Sequence, residues 1–220
     1  MIKNYLPTKI HFGFIAFLAF TFLFGLWLLW FVGALIYVGF WYLFRKQINR
    51  IHDDFIDSQN VLSPVNGKAA QVYDNVDHAF FGKGLRAIRF NINFLDEYGV
   101  YLPASTEVKN VKTDKIKEIN RFKEYEIDKA DHQDNGVLIK LKSKVDEFMG
   151  LQILKDRFSL NPVVIVQPGD RGRAKANIGV VPFGGSVILY FDKSFKTHIK
   201  EGDDVDAGKT IIASSREGFE

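Results

Sequence analysis

The sequence predicts a mainly β fold, a compact β sandwich or barrel, preceded by an N-terminal hydrophobic membrane anchor. Two observations support this fold class. A run of 33 residues without a charge extends from position 12 to position 44. After it, short runs of alternating or β-branched residues are separated by glycine, proline and asparagine turns, which is typical of antiparallel β structure. We therefore divide the chain into an anchor with its connector, residues 1–52, and a β domain, residues 53–220.

The uncharged run predicts a membrane anchor at residues 12–44. About 20 apolar residues already span a bilayer, so this run is too long for one upright helix and too short for two full crossings. Gly25 and Gly33 are positions at which a helix could break. We expect a re-entrant or helical hairpin, with a single tilted helix as the alternative. Residues 46–59 then form a polar connector, predicted as a short helix.

The charge distribution indicates where the β domain lies. The chain has a net charge of +3, but its first 52 residues contain five lysines and arginines and no acid. The remaining 24 basic and 26 acidic residues nearly balance, so nucleic acid is not expected as a partner. Positive charge on both sides of the anchor favours the cytoplasmic side for both ends. The absence of cysteine excludes disulfides, thiolate metal sites and cysteine nucleophiles.

The β domain is predicted from its strand-like runs. A helical pattern occurs only at 144–154. Glycine turns followed by an Ile-Ile run, within residues 198–212, predict a hammerhead-like (barrel-sandwich hybrid) C-terminal part. The candidate strands are 68–73, 85–94, 99–101, 106–111, 136–141, 162–167, 178–181, 187–191 and 210–213.

Gly184, Gly185 and Ser186 interrupt the strongest β segment. Glycine inside a strand usually marks a bulge, a tight hairpin or a close backbone approach. The alternative is that this peptide bond takes part in chemistry. Searches for metal-ligand spacing, a phosphate loop and a Gly-x-Ser-x-Gly elbow find nothing. Lys83 and Arg86 flank a glycine turn and could contact a lipid phosphate, although a solvated loop is the favoured explanation.

A set of motifs in a fixed order suggests a family. An aromatic-arginine stretch follows the anchor, and a closing glycine-turn corner ends the chain. The motifs between are Leu-Ser-Pro-Val-Asn-Gly-Lys at 62–68, Phe-Asn-Ile-Asn-Phe-Leu-Asp-Glu-Tyr-Gly-Val-Tyr-Leu-Pro at 90–103 and Phe-Gly-Gly-Ser-Val-Ile-Leu-Tyr-Phe at 183–191. This order resembles the phosphatidylserine decarboxylase family, especially its short, membrane-anchored, pyruvoyl-dependent forms.

The resemblance implies chemistry at the Gly185–Ser186 bond. In this family the serine hydroxyl attacks the preceding carbonyl, and the chain breaks to leave a pyruvoyl group, here derived from Ser186, with Gly185 ending the other fragment. The pyruvoyl ketone takes up the electrons released with CO₂, so no metal is expected. The implied reaction converts phosphatidylserine to phosphatidylethanolamine. The implied partners are a membrane phospholipid, the lipid bilayer and a second copy of the chain in a homo-oligomer.

Three positions depart from the family pattern. Asn66 stands where the family has an aspartate, and the expected histidine falls near Tyr98. Tyr98, Tyr101 or His78 could substitute as the base. An ungapped alignment also places Gly185 on the nucleophile, and a one-residue shift is needed to place Ser186 there. Two alternatives to a working enzyme therefore stay open: an inactive relative that binds lipid or acts as a scaffold, and a membrane-tethered hammerhead-type adaptor.

Overall fold

The computed structural model describes residues 8–45, 60–113, 115–127, 129–143 and 148–215. The chain divides into two compact units, Met1–Ile48 and Asn49–Glu220, and each is described by itself. The connector predicted at 46–59 lies outside the described residues.

The N-terminal unit is a pair of helices, α1 (Thr8–Leu23) and α2 (Trp27–Leu43). Gly25, with φ +68°, lies in the turn between them, as expected for a hairpin and not for a single helix. The helices pack antiparallel, and His11 Nδ1 lies 2.9 Å from Tyr37 Oη. Gly33 does not break α2. Within the part of the chain that the structure describes, no helix has both the length and the hydropathy required to cross a membrane.

The helical pair presents an apolar surface. Leu23 and Leu28 are 80% and 78% exposed, and large apolar side chains are exposed along both helices. A surface helix of a globular protein normally has a polar face opposite its apolar one. The exposed positions of α1 and α2 carry phenylalanine, leucine, isoleucine and tryptophan instead.

The regular secondary structure of the C-terminal unit, over the residues described, is almost all β, which confirms the prediction of a mainly β chain. One short helix, α3 (Ala130–Gln133), interrupts the strands. The strands are β1 (Asn60–Leu62), β2 (Gly67–His78), β3 (Gly82–Ile92), β4 (Gly99–Tyr101), β5 (Thr106–Thr113), β6 (Val137–Ser143), β7 (Phe148–Leu154), β8 (Val163–Val164), β9 (Arg171–Gly172), β10 (Asn177–Val180), β11 (Gly185–Phe191), β12 (Lys196–Thr197), β13 (Asp204–Val205) and β14 (Ile211–Ser214).

Three sheets are formed in the described residues. The largest has eight strands in the order β13-β2-β3-β11-β7-β6-β5-β9, and neighbouring strands are antiparallel. The other two have the orders β1-β14-β12 and β4-β10-β8. No sheet in the described part closes on itself. The long connections between hydrogen-bonded neighbours bring residues up to 154 positions apart into contact, as with Asn60 and Ser214.

The prediction of a helix at 144–154 is wrong over the part that the structure describes. Residues 148–154 form β7, buried between β6 and β11. A short, nearly continuous apolar run is compatible with either a buried helix or a buried strand. Residues 148–154 pair with β6 on one side and with β11 on the other, and this pairing shows that they form a strand. The candidate strand at 162–167 is reduced to Val163–Val164, and the other candidates lie on observed strands within a few residues.

The central strands β3, β11 and β7 carry the core. One face of this sheet packs beneath a long connection, residues 115–135, that we call the covering segment. Its side chains Ile119, Tyr125 and Ile127 are buried against Ile188 and Tyr190 of β11. The covering segment therefore shields one face of the strand that begins with Gly185 and Ser186.

Candidate functional site

The Gly-Gly-Ser stretch forms the entry to β11. Phe183 and Gly184 make the turn, with φ +66° and +89°, and the Gly184 N–H bonds to the Val181 carbonyl at 3.2 Å. A Cβ on Gly184 would lie 2.5 Å from the Ile92 carbonyl oxygen, so glycine is required there by close packing as well as by φ. Gly184 thus provides both the turn conformation and the close approach to the backbone of β3 at the start of β11.

Ser186 lies inside the paired region of the sheet. Its partners across the ladders are Asn91 in β3 and Leu154 in β7, and it is fully buried. The peptide bond between Gly185 and Ser186 therefore belongs to a strand that has neighbours on both sides. A bond placed this way is less free to bend than one in an exposed loop.

The hydroxyl of Ser186 has polar partners on β3. It donates a hydrogen bond to Asn91 Oδ1 at 2.7 Å and accepts from Arg89 Nε and Nη2, each at 3.3 Å. Asn91 Nδ2 in turn donates to the Arg121 carbonyl in the covering segment at 2.9 Å. An amide oxygen accepts a hydrogen bond but does not act as a general base near neutral pH.

Arg89 supplies the charge at this position. Its side chain is buried, and Nη1 donates to Gln71 Oε1 at 3.0 Å and to the Lys123 carbonyl at 2.9 Å. Burial lowers the pKa of Arg89 below its ordinary value. An arginine nevertheless remains protonated in proteins, so a cation faces the Ser186 hydroxyl. Such a charge would stabilise negative charge that develops on a nearby oxygen.

Asn66 faces an acid that sequence analysis did not identify. Its Nδ2 donates to Glu97 Oε2 at 2.9 Å, and its Oδ1 accepts from the Ala207 N–H at 2.8 Å. Tyr101 donates its hydroxyl hydrogen to Glu97 Oε1. Glu97 is fully buried. A carboxylate, that of Glu97 in the connection between β3 and β4, thus lies within hydrogen-bond distance of Asn66.

Tyr98 packs beside the entry turn. Its ring lies 6.1 Å from that of Phe183, and its carbonyl accepts the Val181 N–H at 2.9 Å. Its hydroxyl donates to the Phe94 carbonyl at 2.5 Å. A phenol that donates to a carbonyl is not oriented to take a proton from Ser186. Tyr98 is therefore placed near the turn as a packing residue.

The strand register places Asn66, with its partners Glu97 and Ala207, away from Ser186. Lys68, Asn91 and Ser186 are opposite one another on β2, β3 and β11. Strands are about 4.8 Å apart, so β2 and β11 are about 10 Å apart across β3. Asn66 precedes β2. Its hydrogen bonds go to Glu97 and Ala207, and those of Ser186 go to Asn91 and Arg89.

Three candidate residues lie at the far end of the same sheet. His78 is opposite Gly82, and Arg86 is five residues along β3 from Asn91, roughly 17 Å away at the usual rise per residue. The His78 ring lies 5.0 Å from that of Tyr190, which is four residues along β11 from Ser186, roughly 13 Å at the usual rise per residue, so His78 is not placed next to the Ser186 hydroxyl. Arg86 forms an ion pair with Asp74, with Nε 2.8 Å from Oδ1. Lys83 is the second residue of β3 and lies at the same end of the strand.

A buried ion pair fixes the covering segment near the turn. Arg121 Nε lies 2.9 Å from Asp156 Oδ2, and Arg121 Nη1 donates to the Ile92 carbonyl at 3.0 Å. A Cβ on Gly184 would be 3.0 Å from that same Nη1. Arg121 therefore restrains the surroundings of the Gly-Gly-Ser stretch. Nothing in its local sequence, Ile-Asn-Arg-Phe-Lys, distinguishes it from a solvated arginine.

Comparisons with known proteins add no family assignment. No family model matches this chain, and a search of curated proteins finds no match either. Among the described residues, no group of three or more histidine, aspartate and glutamate side chains could hold a metal ion. The resemblance therefore depends on the order of the motifs in the sequence alone.

Proposed function

We propose that this chain is a phosphatidylserine decarboxylase-like protein that works at a membrane surface with its Gly185–Ser186 bond intact, as a lipid-binding relative of the enzyme. The observation that carries the proposal is the environment of the Ser186 hydroxyl. It donates to an amide oxygen and accepts from a guanidinium, and neither of these partners can remove its proton.

Self-cleavage would need that proton to move. The Ser186 Oγ must add to the Gly185 carbonyl carbon while its proton leaves, and the amide nitrogen must gain a proton as the C–N bond breaks to give an ester. Elimination then releases the Gly185 carboxylate, and addition of water with loss of ammonia gives the pyruvoyl ketone. General base help contributes about 10²–10⁴-fold to such a step. The hydrogen-bonded strand also opposes the bending of the bond.

The membrane location rests on the helical unit. Both helices expose apolar side chains along their length, and a contiguous apolar surface of this kind marks a site of membrane or protein association. Lys9 and Arg45 both lie at the open end of the helix pair, away from the turn at Gly25, and can meet lipid phosphates. Trp41, near the same open end, suits the headgroup region, whereas Trp27 and Trp30 lie near the turn. We propose a hairpin that enters the bilayer and returns, with the β domain on the cytoplasmic side.

The hammerhead-like C-terminal part predicted from the sequence fits the proposal of a decarboxylase-like protein. Gly202 and Gly208, with φ +92° and +66°, form two turns on either side of β13, and β14 then pairs with β1 and β12. Two glycine turns that flank a short strand are the corner expected of a hammerhead-like C-terminal part. We propose that the β domain is a sandwich of the barrel-sandwich hybrid type, with this corner as its characteristic element.

A working decarboxylase is the second candidate, and Arg89 favours it. A buried guanidinium next to the Ser186 oxygen would stabilise the alkoxide and the tetrahedral oxyanion that precede the ester. Asn91 and Arg89 would then hold a pyruvoyl group at position 186. Such a ketone supplies the electron sink for decarboxylation. The chain would supply a cation and an amide there, and a base would have to come from elsewhere.

The mass of the purified protein separates the two candidates. The full chain, purified in detergent, is expected to appear as one species of 25.2 kDa after prolonged incubation. Processing would give two chains, of which the smaller begins at position 186 with a ketone that reacts with hydrazides. Ser186→Ala, which cannot form a pyruvoyl group, is the control for background proteolysis. Two chains in the native protein and one in this variant would overturn the proposal.

The membrane part of the proposal has its own test. The chain is mixed with vesicles of phosphatidylcholine and phosphatidylserine and separated by flotation. Leu28→Glu places a charge on an exposed position of α2 and is expected to reduce the floating fraction. Leu160→Glu makes the same change at an exposed position of the β domain and is expected to have no effect. Equal flotation of both variants would contradict insertion of the hairpin.

A further inference from the structure

Three turns meet at the end of the eight-stranded sheet where β11 begins. The strands β3 and β7 lie on either side of β11 and are both antiparallel to it, so they end together, opposite Gly185 and Ser186. The turns that follow them, residues 93–96 and 156–159, therefore leave the same end of the sheet, from strands about 10 Å apart. The third turn, residues 120–123, belongs to the covering segment. We call these three turns the rim.

Direct contacts join the parts of the rim. Arg121 Nε of the covering segment lies 2.9 Å from Asp156 Oδ2 of the turn after β7. The same arginine donates from Nη1 to the carbonyl of Ile92, the last residue of β3, at 3.0 Å. Phe94 of the turn after β3 stacks on Phe183 of the entry turn, with ring centroids 5.9 Å apart. The three turns therefore border the start of β11 as one continuous rim.

The rim exposes large apolar side chains. Phe94 and Leu95 in the turn after β3 are 46% and 65% exposed. Phe122 in the covering segment is 84% exposed, and Phe158 in the turn after β7 is 75% exposed. Single exposed apolar side chains are normal on a protein surface, but several gathered in one place mark an interaction site.

The turns of the rim are closed by hydrogen bonds of their own. In each, a short polar side chain accepts a backbone N–H from the same turn: Asp96 Oδ2 from Asn93 at 2.8 Å, Asn120 Oδ1 from Phe122 at 3.0 Å, and Ser159 Oγ from Asp156 at 2.7 Å. Side-chain bonds of this kind fix a tight turn. The apolar side chains are thus exposed by ordered turns.

The arrangement favours a lipid bilayer as the partner. A protein partner would need a packed surface of matching shape, whereas fluid lipid adapts to side chains that project from separate turns. Aromatic side chains with basic neighbours are typical of the membrane interface. Lys123 follows Phe122, Arg157 precedes Phe158, and both cations are exposed. Glu124 offsets part of this charge, so we expect apolar insertion to matter more than attraction to anionic lipid.

We propose that the rim is a second membrane contact of this protein, through which the β domain inserts Phe94, Leu95, Phe122 and Phe158 into the bilayer interface. The inference rests on the proposed membrane location of the chain, because the hairpin keeps the β domain to which it is joined near lipid. It adds a defined face of the β domain to that location. The end of the sheet at which β11 begins faces the lipid headgroups.

Single cysteines test the proposal, because the native chain contains none. Leu95→Cys, Phe122→Cys and Phe158→Cys are each labelled with an environment-sensitive fluorophore, and the full chain is reconstituted into vesicles of phosphatidylcholine and phosphatidylserine. Nitroxide-labelled lipid in the vesicles is expected to quench most of the emission at all three positions. Ala79→Cys is the matched control. It lies in an exposed turn at the other end of β3, roughly 30 Å away, and should keep its emission.

A charged variant shows whether the rim inserts as one surface. Phe158→Glu, made in the chain labelled at position 95, is expected to reduce the quenching at position 95, because a carboxylate is costly to place in lipid. Ala79→Glu adds the same charge at the other end of β3 and should leave that quenching unchanged. Circular dichroism confirms that the variants are folded. Equal quenching in the two variants would contradict the proposal.

Flotation separates this inference from the proposed membrane location. The hairpin determines whether the whole chain floats, so unquenched labels on a chain that still floats would overturn the rim contact alone. A chain that does not float would remove both proposals. A shift in the emission of the label without quenching by lipid would mean that protein, such as a second copy of the chain, covers the rim, and would also overturn the inference. The state of the Gly185–Ser186 bond, read from the mass, bears on neither result.

Discussion

Asn66 Nδ2 lies 2.9 Å from Glu97 Oε2, and both side chains are buried. Tyr101 donates to the second oxygen of the same carboxylate. A buried carboxylate needs donors, and here an amide and a phenol supply two of them. An aspartate at position 66, as in the family that the sequence resembles, would place two carboxylates within hydrogen-bond distance. Asparagine is therefore the residue that fits Glu97.

Asn66→Asp is expected to destabilise the β domain by about 3 kcal/mol near neutral pH, because two like charges would share a buried site. Part of the loss should be recovered in mild acid, when one of the two carboxyls takes a proton. Urea unfolding followed by circular dichroism measures this. Tryptophan fluorescence is unsuitable, since Trp27, Trp30 and Trp41 all lie in the helical unit.

Asn66→Ala is the control for that change. It also loses the donor to Glu97, and in addition the acceptor for the Ala207 N–H, but it adds no charge, so its recovery of stability in acid should be smaller than that of Asn66→Asp. If Asn66→Asp and Asn66→Ala show the same pH dependence, the repulsion between positions 66 and 97 is not the cause.

Gly185→Ala is expected to reduce stability by about 2–3 kcal/mol more than Gly169→Ala. Both glycines have φ in the region that favours glycine, +154° and +96°. A Cβ on Gly185 would lie 2.7 Å from the Leu154 carbonyl oxygen and from Val181 Cγ1, whereas nothing lies within 4 Å at Gly169. The difference in unfolding free energy between the two variants therefore measures the cost of the steric clash at position 185. Equal losses, measured by urea unfolding, would mean that the entry turn relaxes to admit a methyl group.

Local patterns were sufficient to predict most strands of this chain. The alternation of apolar and polar residues and the glycine turns indicated β3, β4 and β11 within a few residues. The pattern failed for β7, because Phe-Met-Gly-Leu-Gln-Ile-Leu has no period that separates a buried strand from a buried helix. Its role is set by pairing on both sides, and the partners of a strand are not visible in its own sequence.

The site was predicted only in part for the same reason. Ser186 and Gly185 could be selected from one short motif, and Asn66 from another. The side chains that surround Ser186 come from β3, and Asn91 is 95 positions away in the sequence. Glu97 was inside a motif already selected, but an acid in a loop-like stretch is usually solvated. Its complete burial follows from packing that only the folded chain reveals.

His78 predicts how stability depends on pH. Burial lowers the pKa of His78 from 6.5 to about 4, so the unfolded chain binds a proton in this range more readily than the folded protein does. Stability is therefore fully present above pH 6.5 and falls as the pH decreases towards 4, by up to about 3 kcal/mol. His78→Asn keeps an acceptor for the Phe80 N–H and should flatten this part of the profile.

The control for His78 is an exposed histidine. His198→Asn changes a side chain that lies at the surface and bonds to Ser214 Oγ, and it should leave the pH profile as it is. Urea unfolding at a series of pH values measures all three proteins. A profile that keeps its full slope in His78→Asn would show that other groups cause the loss of stability in acid.

Gly33→Leu is expected to separate α1 from α2. A Cβ at Gly33 would already lie 2.7 Å from Phe17 Cε1, whereas Gly39 in the same helix has nothing within 4 Å. Gly39→Leu therefore adds the same volume and the same gain in helix propensity without meeting α1. Amide hydrogen exchange in detergent, read by mass spectrometry, should show faster exchange in α1 for Gly33→Leu than for Gly39→Leu. Equal protection of α1 in both variants would mean that the hairpin is not held together through Gly33, and the contact between Phe17 and Gly33 would then be incidental to its stability.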